Sequence, residues 1–228
     1  MAEPPTSLRI WRFGEPVDPL REILDRGGVL AIPTESSYGL AADPRSERGV
    51  QAIYRLKGRD AGKPLPVVAA DLDQVAALGV DLRAAGAGRL GVLWPGAITV
   101  VLPLAGAPDA ALPAAAGGDS IAVRVPGHPG LRRLLAELGR PLTATSANLS
   151  GEAPVLDPEA AAALLSGSPR AGRDAAVIDG GRLPGGPPST IVRLGGPGGG
   201  GEPAGRLEIL REGAAPAAEV RRRLAAVI

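Results

Sequence analysis

The sequence predicts a single α/β domain, a twisted sheet of mixed parallel and antiparallel strands flanked by helices. Three observations lead there. Short continuous apolar runs, of the kind buried on both faces of a sheet, recur between polar segments. Stretches with helical spacing of apolar residues separate them, so strands and helices alternate. The strand spacing is too irregular for a regular βα barrel, which leaves a mixed sheet. The 228 residues are ample for one buried core, assigned to residues 8–228, with 1–7 a disordered N-terminus.

In chain order, residues 17–26 read as a helix with Leu20, Ile23 and Leu24 on one face and Gly27 placed to end it. Residues 28–32 are an apolar run that stops at Pro33, a buried strand. The polar Thr34-Glu35-Ser36-Ser37-Tyr38-Gly39 follows its carboxyl end, where α/β folds carry ligand sites. Residues 46–56 place Val50, Ile53, Tyr54 and Leu56 at helical spacing, with Ser46 as N-cap and Gly58 near the end. A strand at 65–70 and a short helix at 71–78 follow, then helix at 81–93 despite its glycines. Strands are expected at 98–104 and 121–125, a helix at 129–138, and a strand at 142–145 that opens into Ser146-Ala147-Asn148. Residues 157–165 form a helix capped by Asp157 with Pro158 at its first position. Short strands at 177–178, 190–194 and 207–210 and a last helix at 217–227 complete the set. The glycine-rich 195–205 reads as a loose loop between neighbouring strands, because the 23 residues after it are too few for a core of their own.

Composition excludes several functions. The 25 basic and 24 acidic side chains nearly cancel, so no global field draws nucleic acid or an anionic membrane. Aromatics at 2% leave little base stacking, and the core must be aliphatic. Without cysteine there is no disulfide, thiolate nucleophile or Cys-bound zinc, and the lone His128 excludes paired-histidine metal motifs. The N-terminal stretch has no basic region leading into an apolar one, so a cytoplasmic protein is expected. The uncharged stretch 90–108 is broken by Pro95, Gly96, Pro103 and Gly106, and reads as a buried strand between turns rather than a membrane span.

Standard catalytic signatures fail. The segment from Gly58 to Pro64 imitates a phosphate-binding loop but is one residue short and has proline where a metal-binding hydroxyl belongs. No G-x-S-x-G elbow exists, and His128, between Gly127 and Pro129, reads as a turn residue. What remains is a scattered set of cations and hydroxyls after apolar strands or at helix ends. It comprises Thr34, Tyr38, Lys57, Arg59, Lys63, Ser120, Arg124, Ser146, Asn148, Ser189 and Arg211. Arg and Lys neutralise phosphate oxygens, Arg also forks onto carboxylates, and hydroxyls and amides orient without adding charge, so together they describe an anion pocket. Taken alone, Lys57-Gly-Arg59-Asp60 reads equally as a helix end whose cations complement the macrodipole, and Ser146-Ala-Asn148 as a turn. Arg124 lies inside Ile-Ala-Val-Arg-Val, where a buried cation requires an anionic partner, either an internal carboxylate or a ligand.

Eight ordered motifs resemble the YrdC-like family of L-threonylcarbamoyladenylate synthases, in its short single-domain form. They are 32–40 (IPTESSYGL), Lys57-Gly-Arg59, Lys63-Pro-Leu65, Leu93-Trp-Pro-Gly96, 121–126 (IAVRVP), 146–151 (SANLSG), Ser189-Thr-Ile-Val192 and 209–213 (ILREG). The first reads Glu-Ser-Ser-Tyr where Glu-Thr-Val-Tyr is usual in the family, which adds a hydroxyl. The resemblance implies a YrdC-like twist around a basic cavity for ATP, L-threonine and bicarbonate. It places Lys57 and Arg59 as catalytic residues facing the phosphates, helped by Lys63, Ser120, Ser146, Asn148 and Arg211. Thr34, Tyr38, Arg124 and Ser189 are then the threonine-binding residues, with Arg124 on the carboxylate. It further implies Mg²⁺ carried on the ATP triphosphate, no prosthetic group and no protein metal site. The implied partners are a downstream threonylcarbamoyl transferase complex and a weak RNA contact, with no membrane. Two alternatives stay open: a carbamoyl-phosphate-dependent carbamoyl-adenylating enzyme, and a non-catalytic double-stranded RNA-binding module.

Overall fold

The computed structural model describes residues 8–105, 112–166, 174–195 and 207–227. The expected disordered N-terminus at 1–7 and, apart from Gly195, the expected loose loop at 195–205 lie outside the described residues. The elements in order are β1 Arg9–Arg12, α1 Asp18–Asp25, β2 Val29–Pro33, β3 Tyr38–Ala41, α2 Glu47–Lys57, β4 Val67–Val68, α3 Leu72–Ala77, α4 Leu82–Ala85 and α5 Ala87–Leu93. They continue with β5 Ile98–Pro103, a 3-10 turn at Pro113–Ala115, β6 Ser120–Arg124, α6 Pro129–Leu138, β7 Leu142–Thr143, β8 Thr145–Ser146, α7 Pro158–Ser166, β9 Ala175–Asp179, β10 Thr190–Leu194, β11 Leu207–Arg211 and α8 Ala217–Ala225.

Local chemistry sets most of these ends. Ser46 Oγ accepts from Gly49 N at 3.1 Å to start α2, and Gly58 stops it in the left-handed conformation at φ 58°. Asp71 and Asp157 cap α3 and α7 through the backbone N–H groups of Gln74 and Ala160. His128 Nδ1 accepts from Leu131 N at 3.0 Å and caps α6, so the single histidine is structural. The expected helix at 81–93 is two helices, because Gly86 at φ 78° breaks it.

The mixed α/β class holds, but the strands divide into two sheets. A five-stranded sheet has the order β1-β9-β2-β3-β8, and a six-stranded sheet has the order β11-β10-β5-β6-β4-β7. Parallel and antiparallel pairs occur in both. The run at 142–145, expected to be one strand, is where the sheets meet. β7 pairs antiparallel with β4, and one residue later β8 pairs antiparallel with β3. Thr143 locks this switch: its N–H donates to Ala42 O at 2.8 Å and its Oγ1 accepts from Ala42 N at 2.9 Å. One apolar cluster draws on both sheets, through Val29, Tyr38 and Val177 on one and Val67, Val100, Val123 and Val192 on the other. Val220 and Leu224 of α8 join it, so the C-terminal helix packs on the main body.

Candidate functional site

β-sheet alternation builds the floor of the site. In β6, Ile121 and Val123 enter the core, so Ser120, Ala122 and Arg124 share the opposite face. Val68 is the partner of Arg124 across the β4–β6 ladder, and Ile191 is the partner of both Thr99 in β5 and Arg211 in β11. The ladder that pairs Val100 with Val123 brings Thr99 alongside Arg124. Arg211, Ile191, Thr99, Arg124 and Val68 therefore form one transverse row across the six-stranded sheet, and all five line a cavity of about 350 Å³. Three strand steps separate the arginines of that row, roughly 14 Å between backbones. The volume is at the lower end for a small-molecule site.

The five-stranded sheet also contributes to the lining, through Thr34, Ser36, Ser37, Tyr38 and Gly39 from the β2–β3 hairpin, and Thr145 and Ser146 from β8. Arg59, Pro64 and Pro66 close one side. Among the described residues the wall thus carries three guanidinium groups, many hydroxyls and no carboxylate. Such a surface holds anions, with Arg forks for planar carboxylate or phosphate groups.

Arg124 has an internal partner. Its Nη1 donates to Glu35 Oε2 at 2.8 Å, and Glu35 Oε1 accepts from Gly127 N at 2.6 Å. Among the described residues only one guanidinium nitrogen is bonded, and the Arg124 side chain remains 12% exposed toward the cavity. Arg211 donates to Ser189 O at 2.8 Å, and Ser189 Oγ shares a 2.8 Å hydrogen bond with Thr99 Oγ1. Partial burial of its guanidinium lowers the Arg211 pKa, although the residue as a whole sits exposed at the rim. Arg59 donates to Pro64 O at 3.0 Å, and its buried Nε has no protein acceptor among the described residues.

Of the eleven residues expected at the site, Thr34, Tyr38, Arg59, Arg124, Ser146, Ser189 and Arg211 line the cavity, while Lys57, Lys63, Ser120 and Asn148 do not. Lys57 is engaged by the protein instead of lining the cavity. Its side chain is buried, and its ammonium donates to Ser146 O, to Asn148 O at 3.1 Å and to Asn148 Oδ1 at 2.9 Å. Every N–H is committed to holding the segment after β8. Burial, then the nearby Arg59 charge, lowers its pKa to about 8. Asn148 completes the clamp by accepting from Ser146 Oγ at 2.6 Å and donating to Glu152 O at 2.6 Å. Lys63 is exposed to solvent. Ser120 lies on the Arg124 face but four residues along the strand, roughly 13 Å away.

Two lining hydroxyls are also occupied by the protein. Thr34 Oγ1 donates to Ser37 O at 2.7 Å and accepts from the Ser36 and Ser37 N–H groups at 3.4 Å, which folds the hairpin loop. Tyr38 OH donates to Gly181 O and accepts from Gly180 N, both at 3.0 Å, and burial raises its pKa. Thr99 and Thr145 escaped sequence reasoning as site residues, while Glu35, Ser36 and Ser37 lie in the loop expected to carry a ligand site without being named individually. Thr99 had a signal, a lone hydroxyl inside the apolar run of β5.

Comparisons with known proteins agree on one kinship. The sequence model Sua5_yciO_yrdC, described as telomere recombination, matches residues 22–213. A threonylcarbamoyl-AMP synthase of Idiomarina loihiensis is 43% identical over 129 residues, 56% of this chain and 68% of the relative. One from Bacillus subtilis is 37% identical over 171 residues, 75% of this chain and 47% of the relative. Among solved structures, P. abyssi Sua5 complexed with L-threonine superposes with TM-score 0.76 at 28% identity, covering 96% of this chain and 61% of that one. E. coli YciO, at 24% identity and TM-score 0.69, shares the fold over 92% of this chain and 96% of its own. The chain thus spans less than two thirds of the length of some of these relatives.

Proposed function

Because the chain belongs to the Sua5/YciO/YrdC family, we propose that it makes L-threonylcarbamoyladenylate from L-threonine, bicarbonate and ATP, releasing pyrophosphate. The observation that carries this is the transverse row, which holds Arg211 and Arg124 with Thr99 between them, in a cavity that Arg59 also lines. An amino acid carboxylate suits the free edge of Arg124, which Glu35 already orients. Phosphate oxygens suit Arg59 and Arg211.

The reaction needs no activated side chain. The threonine amine and bicarbonate condense to an N-carboxylate and water. A carboxylate oxygen then attacks the α-phosphorus, and the bond to the bridging oxygen breaks to release pyrophosphate. Catalysis rests on bringing two anions together and neutralising the charge that accumulates on the leaving group. Magnesium enters as part of the ATP substrate. Lys57 keeps the Ser146–Asn148 segment in place, and Ser146 stands on the cavity lining. The product passes to a separate transferase complex acting on tRNA in the cytoplasm.

The test is pyrophosphate release by the purified protein. We expect it to require ATP, L-threonine and bicarbonate jointly. Release that requires carbamoyl phosphate instead, or salt-sensitive RNA retention without turnover, would overturn the assignment.

A further inference from the structure

We infer that Glu35 is a positioning residue for the amino acid substrate, holding Arg124 in its binding orientation before that substrate arrives. This rests on the synthase reading above. Glu35 lies in the hairpin loop between β2 and β3, while Arg124 ends β6 in the other sheet, 89 residues away. Its two oxygens serve different segments: Oε2 takes Arg124 Nη1 at 2.8 Å, and Oε1 takes the backbone N–H of Gly127 at 2.6 Å, just before α6. With both oxygens held, the carboxylate cannot rotate to grip the guanidinium fork on two sides. One edge of Arg124 is fixed and the other is left toward the cavity.

The loop that carries Glu35 is itself held. Thr34 closes it with three side-chain hydrogen bonds to Ser36 and Ser37 and one from its backbone N–H to Ser37 O, and Gly185 N donates to Ser36 O at 2.9 Å. Pro33 and Tyr38 pair at the base of the hairpin. The hairpin, the end of β6 and the approach to α6 are therefore joined at one carboxylate, which is only 28% exposed. A ligand carboxylate arriving at Arg124 meets a cation whose rotamer is already chosen, so the ordering cost is not charged to binding. Glu35 also neutralises one charge of a pocket that would otherwise present three unopposed guanidinium groups.

The Glu35→Gln variant keeps the size of the side chain but replaces one acceptor by a donor, so the Arg124 and Gly127 bonds cannot both survive. We expect the KM for threonine to rise about 10–100-fold, the scale of a misplacement near 1 Å, while the KM for ATP stays within about twofold and the thermal midpoint shows a folded protein. In an Arg124→Ala background the same change should add less than about twofold to the threonine KM, because Glu35 acts through that arginine. An unchanged threonine KM, an equal rise in both constants, or independent effects in the double variant would overturn the inference. If Glu35→Gln fails to fold, Glu35→Asp, which keeps the charge on a shorter stem, carries the same readout with an expected rise of about tenfold in threonine KM alone. Wild-type protein without threonine-dependent pyrophosphate release would sink the synthase reading itself; an active wild type with an unaffected Glu35→Gln variant would sink only the role of Glu35.

Discussion

Replacing Lys57 by methionine probes how a buried cation holds the site together. Lys57 is 4% exposed, and its ammonium is surrounded by Ser146 O, Asn148 O and Asn148 Oδ1, with no carboxylate bonded to it among the described residues. A pKa lowered from 10.5 to about 8 corresponds to at most about 3 kcal/mol of penalty on the charged form. The direction follows from linkage. Below pH 8 both folded and unfolded chains carry the proton, and the penalty is present in full. Between pH 8 and 10.5 the folded chain gives up its proton while the unfolded chain retains it, so the stability contributed by this group rises with pH. Lys57→Met removes that dependence and takes the ammonium donor from Ser146 O and Asn148 O, at about 1–3 kcal/mol each where they stay dry, while Asn148 Oδ1 keeps its bond from Ser146 Oγ. Urea unfolding of both proteins at pH 7, 8, 9 and 10 measures the difference. It should be flat up to pH 8 and then move in favour of the wild type by up to about 3 kcal/mol. A difference that stays constant, or moves against the wild type, would refute the account of Lys57 as a desolvated clamp. Pyrophosphate release should fall in the same variant, because Ser146 stands on the cavity wall and the segment beyond it depends on this ammonium.

Arg59→Ala should lower kcat for pyrophosphate release by about 10²–10³, the usual cost of one group that stabilises developing charge, and leave the thermal midpoint close to wild type; single-turnover kinetics would check it. His128→Ala should cost about 1 kcal/mol of unfolding free energy through loss of the α6 cap, whereas His128→Asn should retain most of it and both should keep wild-type kcat, as expected of a residue outside the cavity wall.

Much of the fold is legible in the sequence. The apolar run of β2 is buried at every position, and Ser46, Asp71 and Asp157 cap the helices they precede. The edge strand β1 and the hairpin partner β3 were not. β1 is short and mostly exposed, without a continuous apolar run, and β3 begins inside a polar stretch that reads as loop. The strand at 142–145 was visible, but its change of sheet at Ala144 was not, because periodicity says nothing about which neighbour a strand pairs with.

The candidate site divides in the same way. Residue type points to an anion pocket only for the set as a whole, since Lys57–Asp60 alone reads as a helix end and Ser146–Asn148 alone as a turn. The buried arginine of β6 required a partner, and sequence left open whether that partner is a ligand or the protein; the fold supplies Glu35 and leaves the other edge free.

What the sequence determines by itself is the inventory: an aliphatic α/β core, caps and turns, and the set of cations and hydroxyls available to a ligand. These follow from short-range patterning and from the cost of burying charge without a partner. Only the tertiary structure decides which cations line the cavity. Lys57 and Arg59 are two residues apart, yet one is turned inward to hold the β8 segment and the other reaches the cavity. Arg124, Thr99, Ile191 and Arg211 share one row because ladders align them across strands, and strand order and register are long-range properties that no local stretch of chain encodes.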